Sequence, residues 1–218
     1  MGIVFTETGI LKAALDSTLI TSAAIAGMLC ICSLAAYEFA FYQFPFKKIL
    51  FAVIMGSMML PLVLYVIPLY RFVVKIGLSD TIPGVALPLM VSPLSVFIIM
   101  QFLEDVPVSL IESARIDGAG HFRIFLSIVL PLICNAVITV TVLMFLSVWS
   151  SYLWPSLVSN THIRPMSVAI ANLLNPNFWI DPRVKIAAML ISSVAPLSIY
   201  ALFQKYIIDG IAAQGIKG

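Results

Sequence analysis

The sequence predicts an all-α membrane protein, a polytopic transmembrane helical bundle, and three observations carry that expectation. Of 218 residues, 61% are hydrophobic and 10% charged, where a soluble domain averages about 25% charged. The mean hydropathy is +1.10. The charged residues gather between uncharged runs long enough to cross a bilayer, because about 20 helical residues at ~1.5 Å each span a ~30 Å hydrocarbon core. The ~10-residue alternating segments of a transmembrane β-barrel are absent. In lipid, a helix satisfies its own backbone polar groups.

Five spans follow in chain order. Residues 17–37 are uncharged and place the first span at 17–40. The uncharged runs 49–70 and 81–103 give the second and third. Residues 124–163 carry no charge, and about 25 of them, 124–148, form the fourth. The run 186–204 is the fifth. Pro61, Pro68, Pro83, Pro88, Pro93, Pro131 and Pro196 interrupt these runs. Each removes a backbone donor and tends to kink a helix; the kinks either fit neighbouring helices or let a gate rock. Lys12 precedes a run too long for a signal-peptide core. Met1-Gly2-Ile3-Val4-Phe5-Thr6 fits a myristoylation pattern formally, but a five-span protein needs no lipid anchor.

Composition excludes several functions. Cys30, Cys32 and Cys134 lie in apolar runs, where cysteine acts as a small hydrophobe rather than part of a disulfide framework. A net charge of +2 gives no ground for a nucleic-acid partner. No nucleophile–base set or metal-ligand cluster has a credible spacing, so no catalytic residue, metal or cofactor is expected. The segment from Gly210 to Lys217 approaches a phosphate-binding loop but puts the lysine one place late and lacks the following Ser or Thr. No carboxylate or lysine lies inside the uncharged run that forms the core of each span, which argues against ion-coupled transport.

The charged segment 104–123 separates the third and fourth spans. Ser109-Leu110-Ile111-Glu112 reads as a capping box opening a short helix, with Pro107 suited to its entry. Gly118 can take the left-handed conformation that ends it. Two turns of isolated helix are marginal, so it must pack on something: its own membrane domain or another protein. Positive charge does not orient the chain. With the Lys47–Lys48 loop inside, Lys47, Lys48, Arg115, Arg123, Lys205 and Lys217 are inside; Lys12, Arg71, Lys75, Arg164, Arg183 and Lys185 balance them outside.

Glu112-Ser113-Ala114, then Gly118, Ile128 and Leu130-Pro131 resemble the EAA loop of permease subunits of ABC importers. The resemblance implies a coupling helix that docks in a cleft of a cytoplasmic ABC ATPase through Glu112, Ser113, Ala114, Asp117 and Gly118. Ser113 stands at the motif's middle alanine, a small-for-small change. Ala35-Ala36-Tyr37, Ile67-Pro68-Leu69-Tyr70 with Gly77-Leu78-Ser79-Asp80-Thr81, Ile116-Asp117-Gly118-Ala119, and Gln204-Lys205-Tyr206 with Asp209-Gly210 and the Gly215-Ile216-Lys217-Gly218 ending are similar to the carbohydrate-uptake type. Across residues 16–218 the chain looks like the second permease subunit of maltose-type and glycerol-3-phosphate-type importers.

That resemblance implies one permease domain over 1–218, a cytoplasmic loop at 104–123 and an external loop at 156–185. The external loop is either a docking site for a solute-binding protein or simply solvated; it carries Asn160, Thr161, His162, Arg164, Asn172, Asn175, Asn177, Trp179 and Asp181. The expected function is translocation of a sugar, polyol or sugar phosphate across the cytoplasmic membrane of a prokaryote. Partner subunits would hydrolyse ATP, and a second permease subunit would complete the path. Asn135 and Thr139, four apart on one helix face, with Trp149 and Tyr152, are candidate pathway residues. Interhelical bonding is the other reading of the polar pair, and an interfacial aromatic belt the other reading of Trp149, Tyr152 and Trp154. Two departures stand out. Trp149-Ser150-Ser151-Tyr152 lacks the amide and acid of the family's Trp-Asn-Asp or Trp-Asn-Glu. The usual first of six helices has no counterpart, so the chain is truncated, starts elsewhere, or uses a five-helix core. The alternatives are an amino-acid-type importer permease and a non-conducting membrane scaffold.

Overall fold

The computed structural model describes residues 9–175 and 180–215, with side chains as far as Tyr206. The Met1–Thr6 pattern, Asn177, Trp179 and the side chains of Asp209 and Lys217 lie outside the described residues. The elements are α1 (Ile10–Phe41), α2 (Lys47–Ser57), α3 (Leu62–Lys75), α4 (Ile82–Ala86) running into a 3₁₀ turn (Leu87–Met90), α5 (Pro93–Leu103), α6 (Val108–Ile116), α7 (His121–Ile124), a π-turn (Phe125–Val129), α8 (Leu130–Leu132), α9 (Cys134–Ser150), α10 (Leu153–Val158), α11 (Met166–Leu173) and α12 (Pro182–Gly215). No strand occurs among the described residues, in keeping with an all-α membrane protein.

Two helices are unbroken and long enough to cross a bilayer: α1, with 32 residues, and the Pro182–Tyr206 part of α12, with 25. The other three apolar runs are bent pairs. Lys47–Ser57 and Leu62–Lys75 meet at 100°, Ile82–Met90 and Pro93–Leu103 at 44°, and His121–Leu132 and Cys134–Ser150 at 81°. Local chemistry accounts for the breaks. Pro61 follows the turn after α2 and cannot donate to it. Ser92 caps α5, its Oγ accepting the Ser95 N–H at 3.2 Å, with Pro93 in the first turn. The π-turn Phe125–Val129 runs directly into Pro131, and the helix breaks at Ile133 (φ −99°, ψ 20°). Pro68 and Pro196, by contrast, sit inside continuous helices.

The chain forms two compact units. The first comprises the chain up to Ala26, Leu62–Met90 and Leu143–Leu202. Ile10, Ala13, Trp149, Met166, Ala169, Leu173 and Ala188 form its buried apolar cluster. Trp154 is 1% exposed, and its indole N–H donates to the Val85 carbonyl at 3.0 Å; it is a core residue, not part of an interfacial belt. Gly84 is required there, because a Cβ would lie 1.9 Å from the Leu78 carbonyl oxygen. Pro196 lacks the N–H that would bond the Ser192 carbonyl one turn back. The Trp149 indole N–H takes that carbonyl instead, at 3.3 Å, so no acceptor is orphaned where lipid cannot supply a donor.

The second unit comprises Gly27–Pro61, Val91–Val142 and the chain from Phe203 on. Phe39 packs on Phe44 and Phe51, with ring centroids 5.4 and 5.5 Å apart, and Tyr37 packs on Phe125 at 5.4 Å. Cys32 is buried against the Ser92 backbone, as a small hydrophobe with a weak donor. None of the three cysteines is in a disulfide.

Candidate functional site

The charged segment is built around α6. Pro107 is the residue before the helix (φ −61°, ψ 124°) and carries no side-chain cap. The helix starts at Val108, which puts Ser109 inside it rather than at the cap. The expected capping box therefore does not form: Ser109 lies two residues past the cap position, and no side-chain cap bond exists at this end. The expected stop does form. Gly118 has φ +80°; its N–H bonds the Arg115 carbonyl at 3.0 Å and the Ala119 N–H bonds the Ala114 carbonyl at 2.9 Å. These are the two bonds of a Schellman motif, and they need a residue tolerant of positive φ.

α6 has two faces. Ile111, 1% exposed, and Ala114, 8% exposed, point inward. Glu112, Ser113, Arg115 and Asp117 are exposed. So is Ile116, at 86%, with Leu110 at 43%, leaving apolar surface beside charge on the outer face. The Ser113 hydroxyl donates to the Ser109 carbonyl at 2.8 Å, so its extra polar group relative to alanine is satisfied within the helix. Tyr42 ties this helix to the rest of its unit. Arg115 lies over the Tyr42 ring, 4.6 Å from the centroid. His121 stacks on the same ring at 4.7 Å and 20°, and the Tyr42 hydroxyl is 3.0 Å from that of Tyr37. Hydrogen bonding to Tyr42 raises the Arg115 pKa above its ordinary value, so the cation is permanent.

Residues 25–213 match the family described as binding-protein-dependent transport system inner membrane component. The chain belongs to this family. It is 32% identical over 201 residues to the sn-glycerol-3-phosphate transport system permease protein UgpE of Brucella melitensis, covering 90% of this chain and 70% of that one. It is 32% identical over 187 residues to the arabinooligosaccharides transport system permease protein AraQ of Bacillus subtilis, covering 85% of this chain and 66% of that one. Its fold is similar to a solved chain of a bacterial ABC transporter involved in import of the acidic polysaccharide alginate. The TM-score there is 0.84 at 19% identity, covering 94% of this chain and 78% of that chain. The MetNI methionine ABC transporter gives a TM-score of 0.66 at 13% identity, covering 92% and 95%.

In this inner-membrane permease subunit, the candidate pathway residues fall into different settings. Asn135 is exposed, whereas Thr139 is 1% exposed. The Thr139 hydroxyl lies 2.8 Å from the Asn135 carbonyl and 3.0 Å from the Tyr206 carbonyl. Its hydroxyl bonds within α9 and to α12, and with almost no exposed surface Thr139 ties helices together. Trp149 is buried with its N–H on Ser192, stacked on Phe145 at 5.4 Å and 19°. Tyr152 is 51% exposed.

One residue of the Gly77-Leu78-Ser79-Asp80-Thr81 segment has a structural role that its resemblance to the carbohydrate-uptake type did not reveal. Asp80 sits at φ +57° after the left-handed Gly77. Its carboxylate accepts the N–H groups of Asn160 (2.8 Å), Thr161 (2.9 Å), His162 (2.8 Å) and Ile163 (3.0 Å), and the Thr161 hydroxyl at 3.1 Å. Partial burial pushes its pKa up, but these backbone donors outweigh it and hold the carboxyl far below the usual range. The Asp80 N–H bonds the Val158 carbonyl at 2.9 Å. Beside this clamp, Lys12 donates to the His162 carbonyl at 2.8 Å, and Asp16 accepts the Arg164 N–H at 2.9 Å. The advance signals were the resemblance of the Gly77–Thr81 segment and an Asp after a glycine turn, a residue type that tolerates left-handed φ.

Proposed function

We propose that the chain is a permease subunit of a binding-protein-dependent ABC importer that carries a sugar or related polyol or sugar phosphate across the inner membrane. In this reading each bent helix pair is one broken span, giving five crossings in a single permease domain over residues 1–218. Residues 104–123 face the cytoplasm, and residues 156–185 face outside toward the solute-binding protein. α6 docks through Glu112, Ser113, Ala114, Asp117 and Gly118 into a partner ATPase, which hydrolyses ATP, and a second permease subunit completes the path. The observation that carries this is the two-sided α6. Ile111 and Ala114 anchor it, Gly118 ends it, and Glu112, Asp117 and a nearly fully exposed Ile116 face outward beside the Arg115 that packs on Tyr42. Names of relatives support this range: an arabinooligosaccharide permease points to sugars and a glycerol-3-phosphate permease to phosphorylated polyols.

The mechanism is a rigid-body push. ATPase closure moves α6, and Tyr42 carries that displacement to α1 and α7 because its ring contacts both Arg115 and His121. Binding of a loaded receptor outside favours the same closed state, so the two sites are linked. In proteoliposomes holding the complete importer, Glu112→Ala and Gly118→Val should lower solute uptake and receptor-stimulated ATP hydrolysis together, by about 5- to 150-fold, the range of typical coupling energies. Membrane insertion should persist. Uptake at the wild-type rate in both variants would refute the coupling role.

A further inference from the structure

We infer that a recess in the first unit, between the end of α9, the start of α11 and the interior of α12, is a subsite for one ring of an uncharged, hydroxyl-bearing solute and rejects phosphorylated ones. The inference rests on the importer reading above and sharpens its substrate class. The recess is about 260 Å³ and is lined by Trp149, Ser150, Met166, Ser167, Ile170, Ser192, Ser193 and Pro196. That is just under the ~300–1,000 Å³ of pockets for drug-sized ligands, so it suits a small solute or one unit of a longer one.

The chemistry of the lining sets the class. Three of its serines already donate their protons to backbone carbonyls: Ser167 to Ser151 at 2.6 Å, Ser192 to Met189 at 2.7 Å and Ser193 to Leu190 at 2.8 Å. A hydroxyl has one proton and two lone pairs, so these groups face the recess as acceptors. The Trp149 N–H is likewise spent on the Ser192 carbonyl. A lining of acceptors takes a ligand that donates, which sugar hydroxyls do. A phosphate dianion brings acceptors only, and no Lys or Arg is in the lining to pair with it. Binding it would bury an unpaired charge. The flat Trp149 ring, fixed by its stack on Phe145 and its bond to Ser192, offers an apolar wall for the C–H face of a ring.

The test uses the complete purified importer without its binding protein. Intrinsic tryptophan fluorescence is titrated with L-arabinose, D-glucose, maltose and sn-glycerol 3-phosphate. We expect a saturable change with at least one neutral sugar and none with the phosphate. The change should disappear in Trp149→Phe, and its half-saturation should rise at least about tenfold in Ser167→Ala/Ser193→Ala, as when two hydrogen-bond acceptors are lost. Size-exclusion chromatography confirms that the variants assemble. A response to the phosphate alone, a response that survives Trp149→Phe, or no response at all overturns the inference. Parallel uptake assays with binding protein separate the two readings. Normal sugar uptake without a Trp149 response sinks only the subsite, whereas no uptake of any sugar sinks the carbohydrate reading with it.

Discussion

The elbow at residues 104–123 and the loop at residues 159–165 are both short polar segments, yet they are held by opposite means. The elbow leans on rings: Arg115 and His121 rest on Tyr42, with Ile111 and Ala114 buried behind. Such contacts are weakly directional, and they leave the outer face of α6 free. The loop is instead gathered onto a single carboxylate, with four successive amides on Asp80. Charge-assisted hydrogen bonds are directional and fix the backbone. The contrast fits the proposed roles, an elbow that transmits displacement and a loop that presents a constant surface.

Breaking the rigid side has the largest expected effect. In Gly84→Ala the new methyl group would meet the Leu78 carbonyl oxygen at 1.9 Å. Backbone cannot yield cheaply, so we expect a loss of about 3 kcal/mol or more, read as a collapsed yield of monodisperse protein in detergent. Asp80→Ala comes next. Losing the shared anion strands four amides and should cost on the order of 2 kcal/mol. The readout is new protease cleavage within residues 159–165 and a lower unfolding temperature. This clamp is also pH-dependent. The folded carboxyl titrates below its ordinary value, so its contribution is complete above that value, about pH 3.9, and is lost as pH falls beneath it. Protease resistance of the loop should thus be flat from neutral pH to about pH 5 and decline only below about pH 4.

On the elbow side, Tyr42→Ala removes one cation–π contact and one stack, together about 1–2 kcal/mol. The variant should fold, and uptake per ATP hydrolysed should fall. A ratio equal to wild type would show that Tyr42 does not transmit the push. The smallest effect belongs to Ser109→Ala. A working cap would cost about 1 kcal/mol, but Ser109 sits inside the helix, so the change should stay within about 0.5 kcal/mol by thermal unfolding.

What could be read in advance divides along the same line. Gly118 was legible because its role is local, a left-handed stop after an apolar-periodic stretch, whereas Ser113 and Ala114 came only from the resemblance to the EAA loop. Ser109 misled because the pattern of a capping box does not say where the helix starts, and the proline two residues earlier set that start. Apolar length found five runs but not the 100° bend at Met58–Pro61, since hydropathy has no direction. The Asp80 clamp was hidden because its partners lie 80 and more residues away and are backbone amides, which have no sequence signature. Trp149 and Pro196 each stood out, but only tertiary contact joins them through the Ser192 carbonyl.

Site-directed cross-linking from position 112 tests the central claim most directly. In the complete importer, with Cys30, Cys32 and Cys134 replaced by alanine, Glu112→Cys should cross-link to the partner ATPase in inside-out vesicles. The yield should change between nucleotide-free and ATP-bound states. In intact cells the same cysteine should resist a membrane-impermeant maleimide. Labelling from outside, or a cross-link that never reaches the ATPase, would contradict the account.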